Sequence, residues 1–283
     1  MAYIRKFTEN SYQKMLKEGR GQGEFEQYMP WIFVRNVSSI GWKNRVPGVK
    51  IDRQHHLLSR LEHDYFHMAE FCPTVIDIKE QYPLPRGNTN LIAETLGISH
   101  PYDSQTGVKT VLTTDFLLTM KIGNKVFNLA RTIKQAKDLE NYRVIEKFEI
   151  ERRYWKEHKT SWGIVTDEEI NKYEVFARNI INAREYYSLD NVEGLETFLP
   201  QRVKSITEKF KERIIGCNVV INEVAGQFEA EQDLGGGVGL AIFKHLIYHR
   251  QIGIDLYSSD IKLSLDTPQN IEPLYKSLME VII

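Results

Sequence analysis

The chain has 283 residues, enough for two domains of ordinary size, and its 42% hydrophobic and 27% charged residues are those of a soluble globular protein. No apolar run approaches the ~20 residues that span a bilayer, and the opening Met1-Ala2-Tyr3-Ile4-Arg5-Lys6 lacks the apolar core of a secretory signal, so the expectation is a cytoplasmic protein with no membrane partner. The net charge of −1 conceals an asymmetry: residues 1–165 carry 25 Lys and Arg against 19 Asp and Glu, which suits a phosphate backbone, whereas residues 166–283 carry 12 against 19, which suits a protein partner.

Cys72 and Cys217 stand far apart without a CxxC, which argues against a disulfide framework or a zinc ribbon and predicts two buried thiols. Residues 9–23 begin as a short helix and break at Gly19, Gly21 and Gly23. Two readings stand side by side: a flexible basic loop in which Arg20 and Gln22 touch DNA, or a plain helix terminator. From Tyr28 to Asp52, aromatic and β-branched residues alternate with turn signals, as in short strands at a domain edge. Arg35, Lys43, Arg45, Lys50 and Arg53 gather positive charge there, with Arg45 and Arg53 as candidate phosphate contacts, while Trp31 and Trp42 are expected in the core.

Leu57, Leu58, Leu61 and Tyr65 recur at helical spacing, and Glu62 lies at the edge of that apolar face. His63 and His67, four apart on the same helix, suggest zinc only until a third ligand is sought, since none is indicated. His63 remains a candidate neighbour of a site at Glu62. Thr74 to Lys79 reads as a strand, and Thr89 to Leu96 as a short helical piece in the connection that follows. Val111 to Met120 and Lys125 to Lys134 read as a hairpin turning at Gly123-Asn124, with Thr132 and Lys134 on one face and Ile133 on the other.

If Asp115 shares that polar face, an acid from a helix, an acid from one strand and a lysine from the next converge. Phosphodiester hydrolysis calls for such a set, because a hard cation held by carboxylate oxygens neutralises the phosphate and acidifies water, and a lysine stabilises the charge that develops. By spacing alone a solvated hairpin with ordinary surface charges explains the same residues. Beyond Lys134 a long helix is expected from about Leu139 to His158, then a strand at Trp162 to Val165, and Thr166-Asp167-Glu168-Glu169 has the form of a capping box opening a new helix. The rest reads as helices at Asn171–Tyr187, Leu199–Ile214, Val219–Glu231 and Val238–Tyr248 with a strand pair around Ile252–Leu265, a winged-helix-like pattern. Gly235-Gly236-Gly237 reads as a tight turn between helices, since no strand precedes it and no lysine follows where a phosphate loop needs one.

Five blocks in order resemble the TnsA family, the endonuclease subunit of heteromeric cut-and-paste transposases: Gly19-Arg20-Gly21-Gln22-Gly23, His55 to Glu62, Asp77 to Leu84, Thr114-Asp115-Phe116, and Glu149 to Trp155. The resemblance covers about residues 10–170. It implies an α/β fold with a restriction-endonuclease-like core, a mixed central sheet flanked by helices, over residues 1–165. A mainly helical, winged-helix-like partner-binding domain would occupy 166–283. It further implies a Mg2+-dependent endonuclease, with Mn2+ as a substitute, that cuts the 5' ends of a transposon in double-stranded DNA. Glu62 and Asp115 would hold the metal and Lys134 would position water, with Glu151 orienting Lys134 or that water. Asp77 and Glu80 would lie near the cleft. The implied partners are a TnsB-like DDE transposase and a TnsC-like AAA+ ATPase regulator, docked by the C-terminal domain. One departure stands out: where the family usually has glutamine two residues before the lysine, this chain has Thr132, leaving chiefly a main-chain carbonyl as the third metal ligand there. Two alternatives stay open, a catalytically weakened subunit that bridges DNA and protein in the same complex, and a stand-alone restriction-type enzyme.

Overall fold

In the computed structural model, which describes residues 6–37, 42–215 and 220–257 with Met279 and Ile282, the first element is helix α1 (Glu9–Lys17). It starts where Thr8 and Ser11 exchange capping hydrogen bonds. The glycines that follow are built into the fold and do not form a loose loop. Gly19, Gly21 and Gly23 all hold left-handed φ of 77°, 76° and 88°. The Gly21 N–H donates to the Met29 carbonyl at 2.6 Å, and a Cβ on Gly21 would overlap the ring of Pro83.

A two-stranded antiparallel ribbon, β1 (Asn44–Pro47) and β2 (Gln54–Leu57), leads into α2 (Arg60–Phe71). Leu57, expected on the helix, ends β2 instead, because Ser59 is extended and its side chain accepts the Glu62 N–H, which starts α2 one residue later. Trp31 is buried as expected, but Trp42 is not core: it is 41% exposed and packs edge-on against His63.

The main sheet has the order β3 (Val75–Pro83), β4 (Thr113–Ile122), β5 (Lys125–Lys134), β6 (Ser161–Thr166). The first three strands run antiparallel in turn, and β6 lies parallel to β5, so the sheet is mixed. The hairpin turns at Gly123, whose φ is 57°. A parallel neighbour requires a crossover, and α4 (Tyr142–Glu157) supplies it; α3 (Arg86–Leu96) lies between β3 and β4 in sequence. Because neighbouring strand residues point to opposite faces, Phe116 meets Tyr65 of α2 while Leu117 packs with Ala130, Ile92, Ile150 and Trp155, so helices cover both faces. The capping box at Thr166 and Glu169 forms and opens the short α5 (Asp167–Asn171).

The described residues fall into two compact units that meet in sequence between Lys172 and Tyr173. In the second, α6 (Glu174–Arg184), α7 (Pro200–Ile214) and α8 (Ile221–Gln232) pack on α9 (Val238–Tyr248), which is apolar around most of its circumference. A Cβ on Gly239 would overlap Ala225, which shows how closely α8 and α9 approach. The glycines at 235–237 form the turn between these helices, with the Gly237 and Gly239 N–H groups donating to Glu229. No strand forms at Ile252–Tyr257; the remainder of the expected strand pair, and Cys217, lie outside the described residues. Cys72 is buried. No described helix is long and apolar enough to cross a membrane.

The glycine segment generates a graded stability test. Gly19→Ala meets open space and strains only the backbone, at a cost of about 1 kcal/mol, whereas Gly21→Ala adds the collision with Pro83 and should cost roughly 2–4 kcal/mol in urea unfolding.

Candidate active site

At the end of the sheet where β4 begins and β5 finishes, a cleft of about 460 Å³ is lined by Glu62, Gln81, Asp115, Thr132, Lys134 and Glu151 among others. Glu62 reaches it from the first turn of α2, where its carboxylate accepts the Leu58 N–H at 2.9 Å and the Ser59 hydroxyl at 2.9 Å. The capping serine thus fixes both the start of the helix and the aim of the acid. Asp115 comes from β4, its Oδ2 accepting the Ile133 N–H at 2.7 Å across the strand pair.

Glu62 is buried and Asp115 half-buried, and their carboxylates are close enough to interact. Burial first, and then repulsion from Asp115, push Glu62 well above the usual carboxylate range. Burial also raises Asp115, against the pull of the Ile133 N–H, Lys134 and Gln81. Two acids in one cleft wall, partly opposed by one lysine, make an electrostatic arrangement that a divalent cation would relieve. The donor chemistry fits a hard cation such as Mg2+: oxygen ligands and a cleft that admits water. Among the described residues no three His, Cys, Asp or Glu side chains converge as a ready cage, so the pair would need ligands from the main chain, water or substrate.

Lys134 lies in the same cleft and pairs with Asp138 at 2.9 Å. Glu151 faces it from α4, but the partners of its carboxylate are two hydroxyls, Thr114 and Thr132, each donating at 2.6 Å, and not Lys134. What it orients is the pair of strands. Burial raises the Glu151 carboxyl to about 7 in spite of those two hydrogen bonds. Thr132 also accepts the Trp162 indole N–H at 3.2 Å, so its hydroxyl is committed to Glu151 and Trp162.

Other candidates fall elsewhere. His63 is absent from the cleft lining and contacts Asp64, His67 and Trp42. Arg20, offered as a DNA contact, is 8% exposed, with its guanidinium on Glu18, the Trp31 carbonyl and Asn36, and stacked over Phe33. Arg53 is buried too and forks onto Glu80 at 2.8 and 2.6 Å. Against the opposing effect of burial, His55 and Arg53 hold Glu80 well below the usual carboxylate range. Both arginines are therefore fold residues, since their hydrogen-bonding forks are occupied by protein groups. Gln22 and Arg45 are exposed. Asp77 and Glu80 do not line the cleft.

Two cleft residues escaped the sequence reading. Gln81 lies beyond the strand expected at Thr74 to Lys79, yet it falls within β3, and its amide donates to Glu62 at 3.2 Å and pulls the Asp115 carboxyl down. Lys147, on the helix expected from about Leu139 to His158, lines the cleft near Lys134, and burial lowers its pKa. Spacing of three from Lys147 to Ile150 and four from Lys147 to Glu151 was the available signal, since it sets Lys147 one turn before two buried residues.

The descriptions of two family models match the chain: "TnsA-like endonuclease N terminal" over residues 72–167 and "TnsA endonuclease C terminal" over 169–256. The first contains Asp115, Lys134 and Glu151, while Glu62 lies before it. The chain is also 36% identical over 253 residues, 89% of its own length and 88% of the relative's, to the Transposon Tn7 transposition protein TnsA of Escherichia coli. By these matches the chain belongs to the TnsA family of transposition endonucleases.

Proposed function

We propose that the chain is the subunit of a heteromeric transposase that hydrolyses the 5' strand at the transposon ends, with Mg2+ at Glu62 and Asp115. The observation that carries this reading is the Glu62 and Asp115 pair, the first buried and the second half-buried, sharing one cleft with Lys134. When bound there, the cation would neutralise the scissile phosphate and acidify water. The protein's own contributions follow from its geometry. Asp115 is held by the Ile133 main chain, and Lys134, held by Asp138, is placed to orient the attacking water and to offset charge gathering on the phosphate oxygens. Lys147 adds a second cation to the cleft for the anionic strand. The acidic C-terminal unit would dock the DDE transposase and the AAA+ regulator, keeping cleavage dependent on assembly.

Cuts on both strands of a transposon-end duplex, mapped at nucleotide resolution with the partner transposase and Mg2+, test this. Asp115→Ala and Lys134→Ala should each slow the 5' cut by at least about 10²-fold and leave the 3' cut unchanged. Cuts indifferent to Asp115 would remove the nuclease reading and leave a bridging subunit.

The pH dependence has a definite sign. Glu62, Asp115 and Glu151 have raised values in the folded chain, so they bind more protons folded than unfolded. Without divalent cation, stability should therefore fall as pH rises from about 5 to about 8, through the range between unfolded and folded values. Thermal unfolding should show this fall, Mg2+ should diminish it, and Glu62→Gln should flatten it by roughly 1–3 kcal/mol at the alkaline end.

A further inference from the structure

Gln81 is the one described strand residue with a left-handed backbone, φ 49°, and it lies in the interior of β3. Its neighbours pair regularly with β4, Glu80 with Phe116 and Tyr82 with Thr114, which puts Gln81 at the level of Asp115. A long non-glycine side chain in this conformation costs about 1 kcal/mol or more, and such an outlier survives only where its surroundings over-determine it. The surroundings do. The Gln81 carbonyl accepts the Trp31 N–H at 3.2 Å, and the side chain, 2% exposed, donates to Glu62 at 3.2 Å and lines the same cleft as Asp115, whose carboxyl it pulls down. Trp31 in turn follows closely on the segment closed by the Gly21 and Met29 hydrogen bond. A kink in a strand re-aims a side chain, and this one brings an amide with two N–H groups into the cleft that both carboxylates line.

We propose that Gln81 is a positioning residue that sets the separation of the Glu62 and Asp115 carboxylates by donating one amide hydrogen toward each, so that the pair is arranged for a divalent cation before one arrives. The inference rests on the metal-site reading above. An amide suits this position because it donates to both acids without adding charge, and its carbonyl oxygen is a hard ligand if the amide turns over. Thr132 makes the need plain, because its hydroxyl is committed to Glu151 and Trp162 and does not brace the pair.

The experiment is Mn2+ binding to the full-length chain, followed by calorimetry and by the electron paramagnetic resonance signal of the ion, for wild type, Asp115→Asn, Gln81→Asn, Gln81→Met and Gln81→Glu. Asparagine tolerates the left-handed backbone but is one methylene too short to reach both acids, and methionine keeps the length without the donors. Both should bind Mn2+ about 10- to 100-fold more weakly while circular dichroism shows a folded chain. Gln81→Glu should restore binding by offering an oxygen ligand. Wild-type affinity in the folded Asn or Met variant would overturn the inference while leaving the metal site standing. Equal binding by wild type and Asp115→Asn would instead remove the metal site itself, and this inference with it.

Discussion

Two carboxylates held side by side in the wall of a cleft resist being ionised together, and the N-terminal unit is arranged around that conflict. Glu62 and Asp115 are drawn together by elements that meet nowhere in sequence, a helix start and the opening of a strand, and each is held by main-chain N–H groups that resist rotation. Proteins retain such pairs where the unfavourable term is relieved by something that binds. The strain and the chemistry are the same fact seen from stability and from function.

The support for that pair extends well beyond the cleft. On one side the glycine segment packs on Pro83 and leads to Trp31, whose N–H holds the kinked Gln81. On the other, Glu151 ties the hydroxyls of Thr114 and Thr132 together, and the Trp155 and Trp162 indoles close the network by donating to the same two hydroxyls. Each buried polar group in this network has a partner, which is the condition under which a polar network rigidifies a core instead of weakening it. Beneath the ribbon the Arg53 and Glu80 fork, with His55, ties β2 to β3. Basic residues that look like phosphate contacts in a linear sequence are here consumed by the fold, while the exposed Gln22 and Arg45 remain free of that duty.

Local pattern carried the hairpin, its turn, the capping box at Thr166, the crossover helix and the helical second unit, because each depends on neighbours within a few residues. Periodicity failed where a boundary depended on one cap: Leu57 matched a helical face, but Ser59 began the helix after it. Residue type alone puts Trp42 in the core, but it precedes β1 and is 41% exposed, with His63 against its ring.

The sequence by itself determined the order of elements, the residue types of the candidate site and, through its motif blocks, the family. It could name Glu62, Asp115 and Lys134, since acids and a lysine next to strand and helix signals are legible one at a time. Only the tertiary structure decided that Glu62 and Asp115 face one another, that Gln81 joins them, that Lys147 turns inward, and that Arg20 and Arg53 turn away. The reason is physical: burial and mutual repulsion belong to pairs distant in sequence, and a left-handed strand residue such as Gln81 is set by the segments packed against it, which no local preference encodes.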